Sequence, residues 1–442
     1  MHSFAPEIML ITLLAVVVIS DTLADRLKVP AVFLLLIGSY LVYHLLPAAV
    51  PLDLRAHFDT VILICIPLIF MGDALHLHFA DVRRFGFEIF YLAVFAVALS
   101  IAAGASLYQL ELFAPLSLGG YVALFAINMA TDAVSVQSVL SRFEGIGHDL
   151  KVLIEGESLG NDATAVIAFF FVGLPWMLSG SIDPAAASFD ALRVFAVSLG
   201  LGVAMGFGFY LLMKLVEHQR GEFFIFVVEG YAAYVLGEEL HVSGILTLIA
   251  AIIATKAWID ADLRRSEARE ARKTKSYRLE QLYHQLRFGG YQATTEQRLE
   301  YIFEMTKEFG YLATVMIFFT LAEMVDYEQL WHYRYEILAM FVATTLIRAL
   351  SMAKFALFGH RFNLIKPVGF EGWFILTFSG MKGALSIILV HMIPDSFAHK
   401  ALFESVTIGV VMLSIFGYGV TLWGYFVLKS RRASAAVQAH RG

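Results

Sequence analysis

The sequence predicts an all-α polytopic membrane protein with about 13 transmembrane helices, and three observations support that expectation. Of 442 residues, 59% are hydrophobic and 16% charged, with a mean hydropathy of +0.72, which is more apolar than a soluble chain of this length requires. The apolar residues gather into runs long enough to cross a bilayer. A few ionisable and hydroxyl residues sit near the middle of those runs, where a carboxylate costs roughly 2.5 to 3.5 kcal/mol and marks function until a partner explains it.

Taken in order, the runs lie at about 8–25, 31–47, 60–78, 85–108, 119–141, 150–173, 190–213, 222–238, 241–257, 309–325, 335–358, 370–393 and 402–428. The first has no basic residue before it and no small-residue cleavage pattern after it, so it reads as a first span and not as a removed signal. An odd number of spans puts the termini on opposite sides. With loops assigned alternately, 25 of the 32 lysines and arginines share the side of the C-terminus, while Arg55, Arg193, Arg334 and Lys400 lie opposite. That asymmetry predicts a multi-pass protein of the cell (inner) membrane, N-terminus outside and C-terminus cytoplasmic. Cys65 lies alone within an apolar run and supports no disulfide framework. The hydrophilic stretch 258–307 mixes both signs of charge at helical spacing and is broken at Gly289-Gly290, which predicts two cytoplasmic helices. Linking two halves of the protein is their simplest role, with lipid-headgroup binding or regulation as the alternative.

The sixth run carries Glu155-Gly-Glu-Ser-Leu-Gly-Asn-Asp162. Ser158 and Asp162 are four residues apart and share a helix face, while Glu157 and Asn161 share a neighbouring one. The first face offers oxygen ligands; the second offers a partner for something basic. Thr131 and Asp132 fall at the centre of the fifth run, where an interrupted helix would let both cap its second half. In the twelfth run, Gly380 and Gly383 permit an unwound turn, and Lys382 is placed to compensate the carbonyls exposed by it. Two broken helices seven spans apart cross in opposite directions, as an inverted repeat of spans 1–6 and 8–13 requires, and such breaks point to a transporter's binding site.

Arg348, mid-span in the eleventh run, needs a carboxylate, and Glu157 is its natural partner. Asp132, Glu157 and Asp162 then stand against Arg348 and Lys382, leaving one surplus negative charge. Such a site suits one small hard monovalent cation or one proton, not both together. Exchange by competition follows, and one-for-one exchange carries no net charge. Asp73 reads either as an interfacial acid or as a residue near the ion path. Glu229 has no evident partner, and Gly202 and Gly206 fit close helix packing.

These residues resemble the signatures of the NhaP/NHE-type monovalent cation:proton antiporters. The resemblance rests on Glu155 to Asp162, Thr131-Asp132, Arg348 and Ser379-Gly-Met-Lys-Gly-Ala-Leu-Ser386. It implies an inverted-repeat antiporter fold whose two discontinuous helices, spans 5 and 12, cross in a core domain, with a separate dimer-forming domain. By that likeness, residues 1–84 and 222–257 hold the dimerisation spans, and 85–173 and 334–428 the core spans. Residues 174–221 form a linker span, 258–307 a cytoplasmic helical loop, 308–333 the tenth span and 429–442 a cytoplasmic tail.

The resemblance further implies that Asp162 is the shared cation and proton carboxylate, with Ser158 and the Thr131 carbonyl as ligands. Asp132 lies behind them, Asn161 supports the site and Glu157 pairs with Arg348. Its Asn-Asp form implies electroneutral sodium or lithium exchange for protons by alternating access. Two positions depart from the usual motifs: Ala133 replaces a proline after Thr131-Asp132, and Lys382 replaces an arginine. The expected partners are monovalent cations, protons, membrane lipid and a second copy of the chain, with no cofactor and no nucleic acid. Potassium exchange is the alternative within transporters, followed by a cation channel. A membrane enzyme fits worst, because no His-Glu-x-x-His and no nucleophile-base pair appears.

Overall fold

The computed structural model describes residues 5–27, 29–51, 57–77, 79–113, 115–140, 146–216, 218–272, 296–358 and 369–439. The inner part of the 258–307 loop, with Gly289-Gly290, lies outside the described residues.

The described chain is helical: α1 (Ala5–Leu27), α2 (Ala31–Leu45), α3 (Phe58–His76), α4 (Phe79–Phe90), α5 (Ala96–Ser106), α6 (Leu118–Ile127), α7 (Ala133–Leu140), α8 (His148–Ala168) and α9 (Leu174–Ser179) come first. There follow α10 (Pro184–Met213), α11 (Gln219–Glu239), α12 (Gly244–Arg272), α13 (Glu296–Met324), α14 (Tyr327–His332), α15 (Arg334–Phe358), α16 (Gly369–Phe378), α17 (Ala384–His391) and α18 (Lys400–Ala439). Every predicted run holds a helix. The described ends of the 258–307 stretch are helical and continuous with spans: α12 continues to Arg272 and α13 begins at Glu296.

By length and composition, seven described helical segments can cross a membrane, and Ala31–Leu45, Thr60–Leu75 and Leu118–Ile127 are shorter apolar helices. Each predicted run thus coincides with helix, while seven segments are long and apolar enough to cross. The fifth and twelfth runs fall short because each is split, and α11 because it carries Arg220, Glu222 and Glu229.

Local chemistry sets the helix ends. Ser117 caps α6 by accepting from the Gly120 amide at 3.2 Å, and Asp326 caps α14 by accepting from Glu328 and Gln329 at 2.9 and 3.2 Å. Gly180, with φ of 76°, closes α9 in the left-handed conformation that a side chain resists. The α4–α5 and α8–α9 helices each continue through a π-helical turn, at Tyr91–Phe95 and Phe169–Gly173.

The chain forms two compact units. The first comprises Met1–Ile62, Phe85–Ala191 and Thr314–Gly442. Its core around the site gathers Leu92, Val139, Leu153, Ile375, Met381 and Leu422. A methyl at Gly156 would meet Ile89 at 2.7 Å and one at Gly160 would meet Ala93 at 2.6 Å, so this small-residue pair lets α8 lie against α4 and the π turn after it. Trp373 donates to the Ala349 carbonyl at 2.8 Å, and Thr345 meets the Tyr418 hydroxyl at 2.5 Å, which ties α15 to α16 and to α18.

The second unit comprises Leu63–Arg84 and Leu192–Ala313. Gly202 and Gly206 seat α10 on α12, as their spacing predicts: a methyl at either would meet Ala250 or Ala254 at 2.6 or 3.0 Å. Glu229, for which the sequence offered no partner, accepts a hydrogen bond from Thr255 one helix away. Glu222 pairs with Arg298 at 3.2 Å. The buried Lys256 ammonium donates to the Leu75 and Leu77 carbonyls, completing the C-terminal end of α3.

Candidate cation site

The fifth and twelfth spans are interrupted where the sequence predicts. Residues 128–132 separate α6 from α7 and residues 379–383 separate α16 from α17. The two breaks touch directly, because the Asp132 amide donates to the Met381 carbonyl at 2.8 Å. Gly383 is required there: a methyl on it would overlap the Asp132 side chain.

An unwound segment in an apolar interior must find a partner for each backbone group, and most of those partners can be named. The Ile127 carbonyl, last of α6, accepts from Ser386 at 2.9 Å. The Thr131 amide donates to Asp162 Oδ1 at 3.0 Å, and the Thr131 carbonyl accepts from Ser158 at 3.0 Å. The Leu376 and Thr377 carbonyls at the end of α16 accept from Arg348 Nε at 3.1 and 3.2 Å. The Lys382 amide donates to Ser414 at 2.9 Å.

Thr131 is the meeting point. Besides its backbone bonds, its hydroxyl donates to Ser158 Oγ at 3.2 Å and accepts from Asn161 Nδ2 at 3.3 Å. Asn161 Nδ2 also donates to Glu157 Oε1 at 3.2 Å. Glu157 receives both ends of the Arg348 guanidinium, at 2.9 and 2.8 Å. Asp162 and Ser158 are 5% and 3% exposed, so this is a buried site in which electrostatic contacts are weakly screened.

Four details differ in place or role from what the sequence predicts. The sequence assigns Ser158–Asp162 and Glu157–Asn161 to separate faces, yet Asn161 as well as the first pair reaches Thr131, because an unwound segment presents amide, carbonyl and hydroxyl in different directions. Thr131 faces α8 and does not cap α7, while Asp132 lies just before α7 with its carboxylate accepting from Ser135. The carbonyls freed at the break of the twelfth span go to Arg348 and not to Lys382, because the planar guanidinium has five donors and can serve a carboxylate and two carbonyls together. Lys382, buried at the break, stands within Coulombic range of Glu157, Asp162 and Arg348. Asp73 is half-buried and belongs to the second unit, whereas all the other named residues belong to the first.

Ser414 carries no signal of its role in the sequence. A serine in an apolar span is ordinary when it bonds its own preceding turn, and Ser414 does so, donating to Val411 at 2.9 Å while its oxygen accepts the Lys382 amide.

Residues 10–427 match the transmembrane sodium/hydrogen exchanger family. This chain belongs to that family. Among relatives, the Na(+)/H(+) antiporter ApNhaP of Aphanothece halophytica is 24% identical over 368 residues, covering 82% of this chain and 63% of its own length. The low-affinity Na(+)/H(+) antiporter NhaS1 of Synechocystis is 22% identical over 377 residues, covering 84% of this chain and 64% of its own. The chain therefore spans a little under two thirds of the length of these relatives. In fold it is similar to the sodium proton antiporter MjNhaP1 of Methanocaldococcus jannaschii at pH 8, with a TM-score of 0.74 at 14% identity, over 96% of this chain and 98% of that one. The family and the fold agree with the resemblance drawn from the motifs.

Proposed function

We propose that this exchanger-family chain trades sodium or lithium for protons, one for one, with the Asp162 carboxylate taking each in turn. The observation that carries this reading is the arrangement of Asp162 against Thr131 and Ser158. A buried carboxylate, a hydroxyl and an unwound carbonyl form an oxygen set for a small hard cation, and they sit where two half-helices meet. Asn161, also on α8, donates to the Thr131 hydroxyl, and Asp132 lies behind it. Glu157 is neutralised by Arg348, so Asp162 is the carboxylate whose charge changes during the cycle. A cation or a proton neutralises it equally well, and only the neutralised site moves between the two faces of the membrane.

Two consequences follow. Apparent sodium affinity falls as pH drops, because the proton competes for the same oxygens. Transport carries no net charge, so it does not respond to potential, although one uncompensated charge crossing 100 mV would be worth about 2.3 kcal/mol. The names of the relatives support sodium over potassium as cargo.

The remaining assignments belong to the same proposal: cell-membrane insertion with the C-terminus cytoplasmic, a homodimer in lipid, and a core of spans 4–6 and 11–13 carrying the site. The test is a pH-gradient assay in proteoliposomes with sodium, lithium and potassium added in turn, repeated with the potential clamped by valinomycin. Proton flux driven by sodium or lithium and indifferent to potential is expected. Flux that rises with potential would require a second titrating group, with Asp132 and Asp73 the first to examine.

A further inference from the structure

Lys382 is buried at the break of the twelfth span, beside the Glu157–Arg348 ion pair. A cavity of about 20 Å³ lies beside the ion pair, lined among others by Glu157, Asn161, Arg348, Lys382, Ser100 and Ser351. That volume admits one water and nothing larger.

Two polar groups on this lining have unmet needs. Asn161 commits its amide nitrogen to Glu157 and Thr131, which fixes the orientation of the side chain, and its Oδ1 is buried without a hydrogen bond. Lys382 is 3% exposed, and among the described residues its ammonium makes no hydrogen bond; its one bond is through the backbone, to Ser414. Arg348 is spread over Glu157 and the Leu376 and Thr377 carbonyls, and the Ser100 hydroxyl donates to its own helix at 2.7 Å. A buried amide oxygen left without a donor is costly, and a water between it and the ammonium would give each a partner.

We propose that a single ordered water bridges the Lys382 ammonium and Asn161 Oδ1, making Lys382 a positioning residue for the cation site. The water fixes the Asn161 amide, Asn161 fixes the Thr131 hydroxyl, and Thr131 presents its carbonyl beside Asp162. Lys382 thus acts on ligand geometry through Asn161. A guanidinium at 382, longer and planar, would occupy the space of ammonium and water together. This inference rests on the proposed exchange for its transport readout but not for its structural one.

The structural readout is a cryo-EM or crystal map of the wild-type protein at about 2 Å. A peak within hydrogen-bonding distance of both Lys382 Nζ and Asn161 Oδ1 is expected; a map that resolves other buried waters and shows none there overturns the proposal, whatever the protein transports. The functional readout is a double-variant cycle on the KM for sodium with Lys382→Met and Asn161→Leu. Loss of one buried hydrogen-bonded link corresponds to a rise of about tenfold for Lys382→Met. If both residues act through the same water, the double variant matches Asn161→Leu alone, and Lys382→Arg restores KM to near the wild-type value. Fold-changes that multiply in the double variant would mean that Lys382 acts through charge alone. Wild-type vesicles inert to sodium would overturn the proposed exchange and leave the map to decide the water.

Discussion

Glu157 in the first unit and Glu229 in the second are both carboxylates buried at mid-span, 1% and 0% exposed, and they are accommodated in opposite ways. Glu157 receives a guanidinium fork on both oxygens and an amide from Asn161. Glu229 receives the Thr255 hydroxyl on one oxygen, while its other oxygen has no hydrogen bond. Glu157 is met by a charge beside the broken helices, and Glu229 by a hydroxyl between two continuous ones. The broken region has exposed carbonyls of its own to satisfy, and a residue with donors to spare, such as Arg348, serves both needs. Glu229 lies between two continuous helices, and its partner Thr255 also reaches the Gly206 carbonyl at 3.0 Å.

The largest effect expected from this contrast follows removal of the cation. Arg348→Ala strands Glu157 and two carbonyls in a buried site and lowers stability by about 3 to 5 kcal/mol. The Glu157→Gln/Arg348→Ala double variant recovers most of that loss, and thermal melts of the two variants in detergent check both statements. A double variant no more stable than Arg348→Ala would mean that the carbonyls, and not the ion pair, account for the cost.

How much of this could be read from the sequence depends on what lipid makes scarce. Charged residues at mid-span are rare enough that Asp162, Glu157 and Arg348 announce themselves, and two of them pair as charge balance demands. The breaks at 128–132 and 379–383 are visible because Thr131-Asp132 and Gly380 to Gly383 are poor company for a continuous helix. Hydroxyl partners are another matter. Ser386, Ser414 and Thr255 look like ordinary span residues, and their roles are set by which helix faces them and at what height. The same holds for Lys256, near the end of the ninth run, whose ammonium is a buried cap on α3. The division of Arg348 between Glu157 and the α16 carbonyls is likewise a product of packing, since Leu376 is 28 residues away.

A second, smaller effect concerns the crossing itself. Gly383→Ala places a methyl against Asp132 and costs about 1 to 3 kcal/mol through overpacking. Its transport rate falls further than its melting temperature indicates, because the displaced group is the backbone that presents Thr131. Measuring both on one preparation separates the two; normal flux in a folded Gly383→Ala protein would show that the contact between the breaks is not needed.

The smallest effect lies at the other carboxylate. Glu229→Gln keeps a hydrogen-bonding group of the same shape and loses no cation partner, so the melt shifts by no more than about 1 kcal/mol. Glu157→Gln, the same chemical change, strands Arg348 and is expected to be severely destabilising. Equal shifts in the two variants would erase the distinction between the two regions.

The most direct measurement is sodium-driven proton flux in proteoliposomes carrying Asp162→Asn. The substitution keeps the shape of the side chain and an oxygen for the Thr131 amide, and removes the charge that a cation or a proton would neutralise. Folded protein, verified by its melt, with flux abolished at every pH and for sodium and lithium alike, is the expected result. Cation-dependent proton flux that persists in folded Asp162→Asn would contradict the assignment of exchange to this carboxylate.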